Sequence, residues 1–223
     1  MTSTEASATH VRTGTELKFI VDETIVDALL GKLATTLGPD TYDGGDGTYS
    51  VASLYLDTPM LASFTRELPG KWRLRRYGLE DIIHVEYKAK PAPGQVVKHR
   101  STVKAADINT LATSPKPKWF ARDIEANTLR PTQLVSYTRR AYMGIVDGID
   151  LRVTLDHDVR AVPMHDFVLP QRGAEAKPIV DGRVLEVKFE DAPPAGFLAE
   201  LAELGLEPMS FSKYRMAMIC AGH

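Results

Sequence analysis

The chain of 223 residues carries a formal net charge of −2, with 43% hydrophobic and 25% charged residues. That balance belongs to an ordinary globular domain and excludes a disordered, fibrous or uniformly basic chain. Any basic surface must be local, with acids elsewhere to balance it. No apolar run approaches the ~20 residues of a membrane helix. Met1 to Arg12 is small and polar, lacks the apolar centre of a signal peptide, and reads as a disordered tail before one domain over 13–223. The single cysteine, Cys220, cannot close an internal disulfide, which points to a reducing, cytoplasmic setting. It sits in an apolar run and reads as a packed residue rather than a nucleophile.

In chain order, Thr15 to Val21 is a first strand, with Glu16 and Lys18 on one face. Asp22 is an N-cap for a helix to about Leu37, whose apolar residues recur every three to four positions. A glycine-rich turn at Asp43 to Gly47 follows; its glycine and glutamate positions are wrong for a calcium loop. Tyr49 to Asp57 is a strand, and Met60 to Glu67 a short helix. Lys71 to Tyr77 and His84 to Lys90 form a hairpin. In it Lys71, Arg73 and Arg75 share one face, as do His84, Glu86, Lys88 and Lys90. Pro91 to Gly94 is a turn, and Gln95 to Val103 a strand with Lys98 and Arg100 on one face. Ala105 to Pro131 holds broken helical patterns and reads as a helical connection or lid. Strands resume at Val135 to Met143 (Tyr137, Arg139), Leu151 to Val159 (Arg152, Thr154, Asp156, Asp158) and Val184 to Phe189 (Glu186, Lys188), with a polar loop at 163–178. Short helices at 197–204 and from Ser210 to Cys220 end the chain.

One such hairpin would read as a half-solvated sheet. The same parity on strand after strand changes that reading. The intervening residues are apolar and suited to helices packed on one side, so the charged face points the other way. The expected fold is α+β, mainly antiparallel β: an eight-stranded closed tunnel with flanking helices and charges inside. On that face bases outnumber acids, and buried charges are costly without partners. The missing negative charge points to a triphosphate or longer phosphate chain. Arginine forks grip phosphate oxygens and lysines act as point charges. Glu16, Glu86, Asp156, Asp158 and Glu186 would hold a hard divalent cation. There is no P-loop, the six histidines lack metal-ligand spacing, and Trp72 and Trp119 do not interleave with bases as a nucleic-acid stacking platform would.

Eight stretches carry a family resemblance: Thr-Glu-Leu-Lys-Phe at 15–19, Ser-Leu-Tyr-Leu-Asp-Thr at 53–58, Lys-Trp-Arg-Leu-Arg-Arg-Tyr-Gly at 71–78, Val-Glu-Tyr-Lys at 85–88, Tyr-Thr-Arg-Arg-Ala-Tyr at 137–142, Leu-Arg-Val-Thr-Leu-Asp at 151–156, Leu-Glu-Val-Lys-Phe at 185–189 and Phe-Ser-Lys-Tyr at 211–214. Together they resemble the vacuolar transporter chaperone (VTC) domain, the polyphosphate polymerase branch of the triphosphate tunnel metalloenzymes. The resemblance implies Mn²⁺ or Mg²⁺ and transfer of a nucleoside triphosphate's γ-phosphate to polyphosphate. By position it implies phosphate contacts from Lys18, Arg73, Arg75, Lys88, Lys98, Arg139, Arg152 and Lys213. Arg100 and Lys188 join them by strand parity. Arg73, Arg75 and Lys213 would act on the transferred group. Glu186 would hold the metal, with Glu16, Glu86 and Asp156 as further candidates. The wider superfamily opens with Glu-x-Glu-x-Lys; here the first glutamate is Gly14, which argues against a two-metal hydrolytic site. The regulatory and membrane parts of the eukaryotic polymerase have no counterpart in this sequence, so a stand-alone catalytic domain is expected. Two other functions stay open: an inorganic or organic triphosphatase, and a non-catalytic binder of polyphosphate or nucleotide.

Overall fold

The computed structural model describes residues 8–12, 14–40, 45–90 and 96–223. Residues 1–7 of the expected tail, Asp43-Gly44 of the glycine-rich turn and the Pro91 to Gly94 turn lie outside the described residues.

One antiparallel sheet dominates. Its strands are β1 (Ala8–Arg12), β2 (Gly14–Val21), β3 (Gly38–Pro39), β4 (Thr48–Asp57), β5 (Gly70–Tyr77), β6 (Ile82–Ala89), β7 (Val96–Lys104), β8 (Arg130–Val146), β9 (Ile149–Pro163), β10 (Lys177–Pro178) and β11 (Arg183–Glu190). The main path runs β1-β7-β6-β5-β4-β8-β9-β11-β2, with β10 paired to β9 and β3 to β8. The expected closed eight-stranded barrel needs correction: β1 and β2 end the path and share no ladder. They are nonetheless consecutive in the chain. Arg12 and Gly14 stand two residues apart, which an extended chain spans in about 7 Å. The sheet must therefore curl until its ends nearly meet. A side-chain bond across the interior agrees, since Lys88 Nζ of β6 donates to Glu16 Oε2 of β2 at 3.2 Å. Ala8–Arg12, expected as tail, is instead a strand in register with Val96–Arg100.

Helices cover the outer face. Asp22 caps the first helical turn by accepting from the Thr24 amide at 2.8 Å, and α1 (Val26–Thr36) follows. Leu29 and Leu33, both fully buried, join Phe197 and Leu201 of α4 (Ala195–Glu203) against Phe19, Val153, Leu185 and Val187. Burial of each such leucine stabilises by about 1.5–3 kcal/mol. The 105–131 connection forms a 3₁₀ segment (Ala105–Ala112) and α3 (Lys118–Asn127). Its Leu111 and Phe120 pack on Trp72, Leu74 and Val85, so the connection is a cover for the outer face rather than a lid over the charged one. The predicted 60–67 helix is the single turn α2 (Ala62–Thr65), held by Asp57, whose carboxylate accepts from the Ser63 and Phe64 amides. Helix α5 (Lys213–Cys220) differs from the others. Its Tyr214, Ala217 and Met218 pack on Val51, Tyr55, Val135 and Val184, residues of the inner face, so it plugs one end of the curl. Cys220, expected to be packed, is exposed at the end of this helix.

A β-bulge breaks one parity expectation. Ser136 pairs with Arg160 but Thr138 pairs with His157, so β9 carries one extra residue. Asp158 absorbs it with a φ of 51°. The inner face thus passes from Asp156 to Val159, and Asp158 turns outward, where it accepts from Arg160 Nε at 2.6 Å and pairs with Arg172. Asp158 leaves the set of inner carboxylates.

Candidate functional site

Register places the other charged candidates on one concave face. Lys18 lies opposite Glu186 and Glu16 opposite Lys188. Arg139 lies opposite Asp156, Arg73 opposite Glu86, and Glu86 opposite Arg100. Among the described residues the bases of this face include Lys18, Lys71, Arg73, Arg75, Lys88, Lys98, Arg100, Arg139, Arg152, Lys188 and Lys213. Glu16, Glu86, Asp156 and Glu186 face them from the strands, and Asp40 meets Arg152 from the end of β3.

Two clusters emerge. Glu186 takes Lys213 Nζ at 3.1 Å, Lys188 Nζ at 3.3 Å, and Lys18 Nζ and Arg139 Nη2 at 3.7 Å each. Asp156, fully buried, accepts from Arg139 Nε and Nη2 at 2.6 and 2.8 Å and pairs with Lys213 Nζ at 2.6 Å. Glu16 pairs with Lys18 at 3.0 Å and Lys88 at 3.2 Å. In the second cluster Glu86 bridges Arg73 Nε at 2.6 Å and Arg100 Nε at 3.3 Å. Arg152 stands apart from both. Its guanidinium bonds Asp40, at 2.9 Å from Nε, and the Tyr49 hydroxyl, at 3.1 Å from Nη2. Lys98 and Arg100 are exposed, although β1 pairs along β7 at these positions.

Three cations on this face have no salt bridge among the described residues. Arg75, 6% exposed, donates from Nε to Ser53 Oγ at 2.9 Å. Lys71 donates to Ser212 Oγ at 2.7 Å, and Ser212 is the N-cap of α5. The Lys98 ammonium has no hydrogen bond or salt bridge among the described residues and lies opposite Lys88. Lys71 was missed as a candidate although its alternation with Arg73 and Arg75 was in plain view. Tyr55 was missed as well. It faces Arg73 across the β4–β5 ladder and stacks on Tyr214 at 5.0 Å. Burial raises its phenol, but Arg73, Arg75 and Lys71 outweigh that and bring it to about 8.

The carboxylates are strongly acidic. Burial and Glu186 push Glu16 up, yet Lys188, Lys88 and Lys18 bring it to about 2. Burial pushes Glu86 up, and Arg73, Arg75 and Arg100 bring it to about 2. Against burial, Lys213, Lys188 and Lys18 hold Glu186 well below the carboxylate range, and Arg139 and Lys213 lower Asp156. The consequence for stability follows from linkage. A carboxyl lowered from 4.5 to about 2 binds fewer protons folded than unfolded, so its stabilisation is complete above 4.5 and lost as pH falls through about 2. The urea midpoint is expected to drop steeply over that window; a midpoint that stays flat there would remove the Glu16 and Glu86 pairs as stabilising elements.

As possible metal donors the four acids divide. Glu16 and Glu186, on neighbouring strands, both approach Lys18 Nζ, at 3.0 and 3.7 Å. Two hard oxygen donors converging on one point suit a small divalent cation that takes its other ligands from phosphate and water. All four are engaged by cations: Glu186 by Lys213, Lys188, Lys18 and Arg139, Glu16 by Lys18 and Lys88, Asp156 by Arg139 and Lys213, and Glu86 by Arg73 and Arg100. What sets Glu16 and Glu186 apart is that both reach Lys18, whose ammonium a metal there would displace. Among the described residues no group of three or more His, Cys, Asp or Glu side chains is arranged to hold a metal. A concavity of about 620 Å³ beside the α5 plug is mostly apolar, lined by residues such as Ile20, Ile179, Phe211 and Met216 rather than by the charged face. Among the described residues no helix is long and apolar enough to cross a membrane.

Comparison with known proteins agrees with this geometry. A search of curated proteins found no match. Among solved structures the chain is similar to a putative adenylyl cyclase from Hippeastrum described as having a dominant triphosphatase activity, at 15% identity and a TM-score of 0.57, over 92% of this chain and 95% of that one. It is also similar to a putative adenylate cyclase from Bacillus halodurans (12% identity, TM-score 0.54, 91% and 95%) and to a protein from Pyrococcus horikoshii (15%, 0.53, 93% and 99%). At these identities the likeness is one of fold. The family model of the VTC domain matches residues 13–221. With that match over nearly the whole chain, and an antiparallel sheet curled around a basic face, the chain belongs to the VTC domain family.

Proposed function

We propose that this chain is a metal-dependent polyphosphate polymerase that transfers the γ-phosphate of a nucleoside triphosphate to a polyphosphate chain. The observation that carries the reading is the state of the inner carboxylates. All four are paired with cations and more acidic than usual, Glu16 and Glu86 at about 2. A general base works best with a pKa near the working pH, so these carboxylates are poor bases for water, and hydrolysis here would call on the metal to activate it. A phosphate acceptor arrives already ionised and needs no base.

In the proposed step an acceptor phosphate oxygen forms a bond to the γ-phosphorus. The bond from that phosphorus to the β,γ-bridging oxygen breaks, and its electron pair leaves on the nucleoside diphosphate. Arg73 and Arg75 offset charge on the transferring group, and Lys213 turns from Asp156 and Glu186 towards substrate. Lys18, Lys88, Lys98, Arg100, Arg139, Arg152 and Lys188 hold the flanking phosphates. Catalysis is positioning and charge neutralisation. Glu16 and Glu186 are the residues that would hold Mn²⁺ or Mg²⁺, which when bound neutralises phosphate oxygens. Glu86 and Asp156 act instead by fixing Arg73, Arg139 and Lys213. A reducing, cytoplasmic setting belongs to the same proposal and is supported by the exposed free thiol of Cys220.

Triphosphate hydrolysis is the second reading, drawn from the activity described for the Hippeastrum protein of like fold. Incubation with ATP and Mn²⁺ separates the two. Acid-resistant long-chain phosphate is the expected product. Free phosphate without chains sinks the polymerase reading in favour of hydrolysis, and tight polyphosphate binding with neither product leaves a binder.

A further inference from the structure

The outer face of the sheet is apolar over two broad areas. One centres on Leu54, Leu74 and Leu134, the other on Val153, Leu155 and Leu185. Between them the pattern breaks. Ser50, in register with Thr138, and Ser136, in register with Ala52, put three hydroxyls on this face. They line a recess of about 240 Å³ together with Tyr137, Gln171 and Arg172. Ser136 is 3% exposed, and its Oγ has no hydrogen-bond partner among the described residues. A buried hydroxyl left unpaired is costly, so a partner within the recess is expected. Arginines flank it. In the row that holds Ser136, Arg160 lies beside it and Arg76 lies beyond Ala52. Among the described residues Arg76 forms no salt bridge, and its Nε is buried and unpaired. The bulge turns the Asp158 carboxylate outward to hold both Arg160 and Arg172. One acid between two arginines leaves that group with a net positive charge. It also fixes Arg172, whose other N–H groups remain free to donate. Gln171 is fixed as well, by donation from Nε2 to Gly78 O at 2.9 Å.

We propose that this recess is a separate oxyanion site on the outer face, built for a tetrahedral anion the size of orthophosphate. Hydroxyls and an arginine fork supply donors, and phosphate oxygens accept from such a fork in pairs. The other ligand classes fit less well. A volume of about 240 Å³ falls below the ~300–1,000 Å³ of sites for larger molecules, so a nucleotide is too big. A metal cation would lack a free carboxylate, because Asp158 is already held by two arginines. An apolar ligand would leave the Ser136 hydroxyl unpaired. The site uses none of Arg73, Arg75 or Lys213, so it stands whether or not ATP yields chains.

Equilibrium dialysis with radiolabelled orthophosphate tests it. Binding is measured for the wild type, Ser136→Ala, Arg172→Met and Arg73→Ala, the last of which removes a cation of the inner face. Thermal melts confirm the fold. Ser136→Ala deletes one oxygen and Arg172 is exposed, so both variants should fold. The expected result is a saturable component in the wild type that Ser136→Ala and Arg172→Met each weaken by about tenfold or more, as loss of a hydrogen bond to a charged group implies. Arg73→Ala keeps that component. Lys177→Met, which removes an exposed cation that does not line the recess, keeps it too. No saturable binding in the wild type would overturn the site. So would binding lost in Arg73→Ala yet kept in Ser136→Ala and Arg172→Met, which would place the phosphate on the inner face alone. An equal loss in Lys177→Met would reduce the effect to general surface charge and overturn it as well.

Discussion

Replacing Arg75 by alanine is expected to lower turnover by about 100- to 1,000-fold, the loss typical of one preorganised charge-stabilising donor, while the protein stays folded. The two halves of that result have separate causes. Arg75 is buried on the inner face with its guanidinium 5.8 Å from the Tyr77 ring centroid and its Nε on Ser53. Among the described residues it forms no salt bridge, so its removal strands no carboxylate there. It also sits beside Arg73, which relieves like-charge repulsion when Arg75 goes. Stability should therefore hold or rise while the charge offset on the transferring phosphoryl group is lost. Turnover with ATP and Mn²⁺, read beside a thermal melt, checks both; full turnover in the variant would take Arg75 out of the site.

Asp156→Ala should do the opposite to the fold. Asp156 is fully buried and holds Arg139 through two hydrogen bonds and Lys213 through a salt bridge. Removing it leaves two buried cations facing each other, with Glu186 their remaining shared partner at 3.7 and 3.1 Å. Breaking a buried pair from one side costs about 3–5 kcal/mol, mostly the penalty of the stranded charge. Urea unfolding of the apo protein should show a loss of that size. A loss under about 1 kcal/mol, the size expected of an exposed pair, would mean that Asp156 is not the keystone of this cluster.

Most of the charged face was legible because a strand repeats every two residues and the charges follow that period. Arg73 and Arg75, Glu86 and Lys88, and Glu186 and Lys188 needed only parity to be placed on one face. What parity could not see were the places where a strand breaks its own period. Nothing in His-Asp-Val-Arg announces that Asp158 takes a positive φ and turns outward. Pairing was equally hidden: Arg152 looked like its neighbours, yet its carboxylate is Asp40, just past the two-residue β3 and 112 residues away. The tail reading of Ala8–Arg12 failed for a related reason. Five residues carry too little pattern to reveal a strand whose partner lies some ninety residues on. Closure was overread, because alternation shows which way side chains point but not whether the last two strands share a ladder.

The order of the strands also bears on how the protein comes to be made. β2 finds its partner in β11, with Gly14 opposite Glu190 and Val21 opposite Arg183. At a synthesis rate of about 5–20 residues per second, β2 waits roughly ten to thirty seconds for that partner to emerge. Until then one of the earliest strands made presents an unpaired edge, the kind of surface that recruits another chain. Pairing over so long a separation also slows folding, because the loop must close before its contacts repay it. The slow step in refolding should therefore be the docking of β2 onto β11, and crowding of nascent chains before that moment is when this protein is most exposed to aggregation.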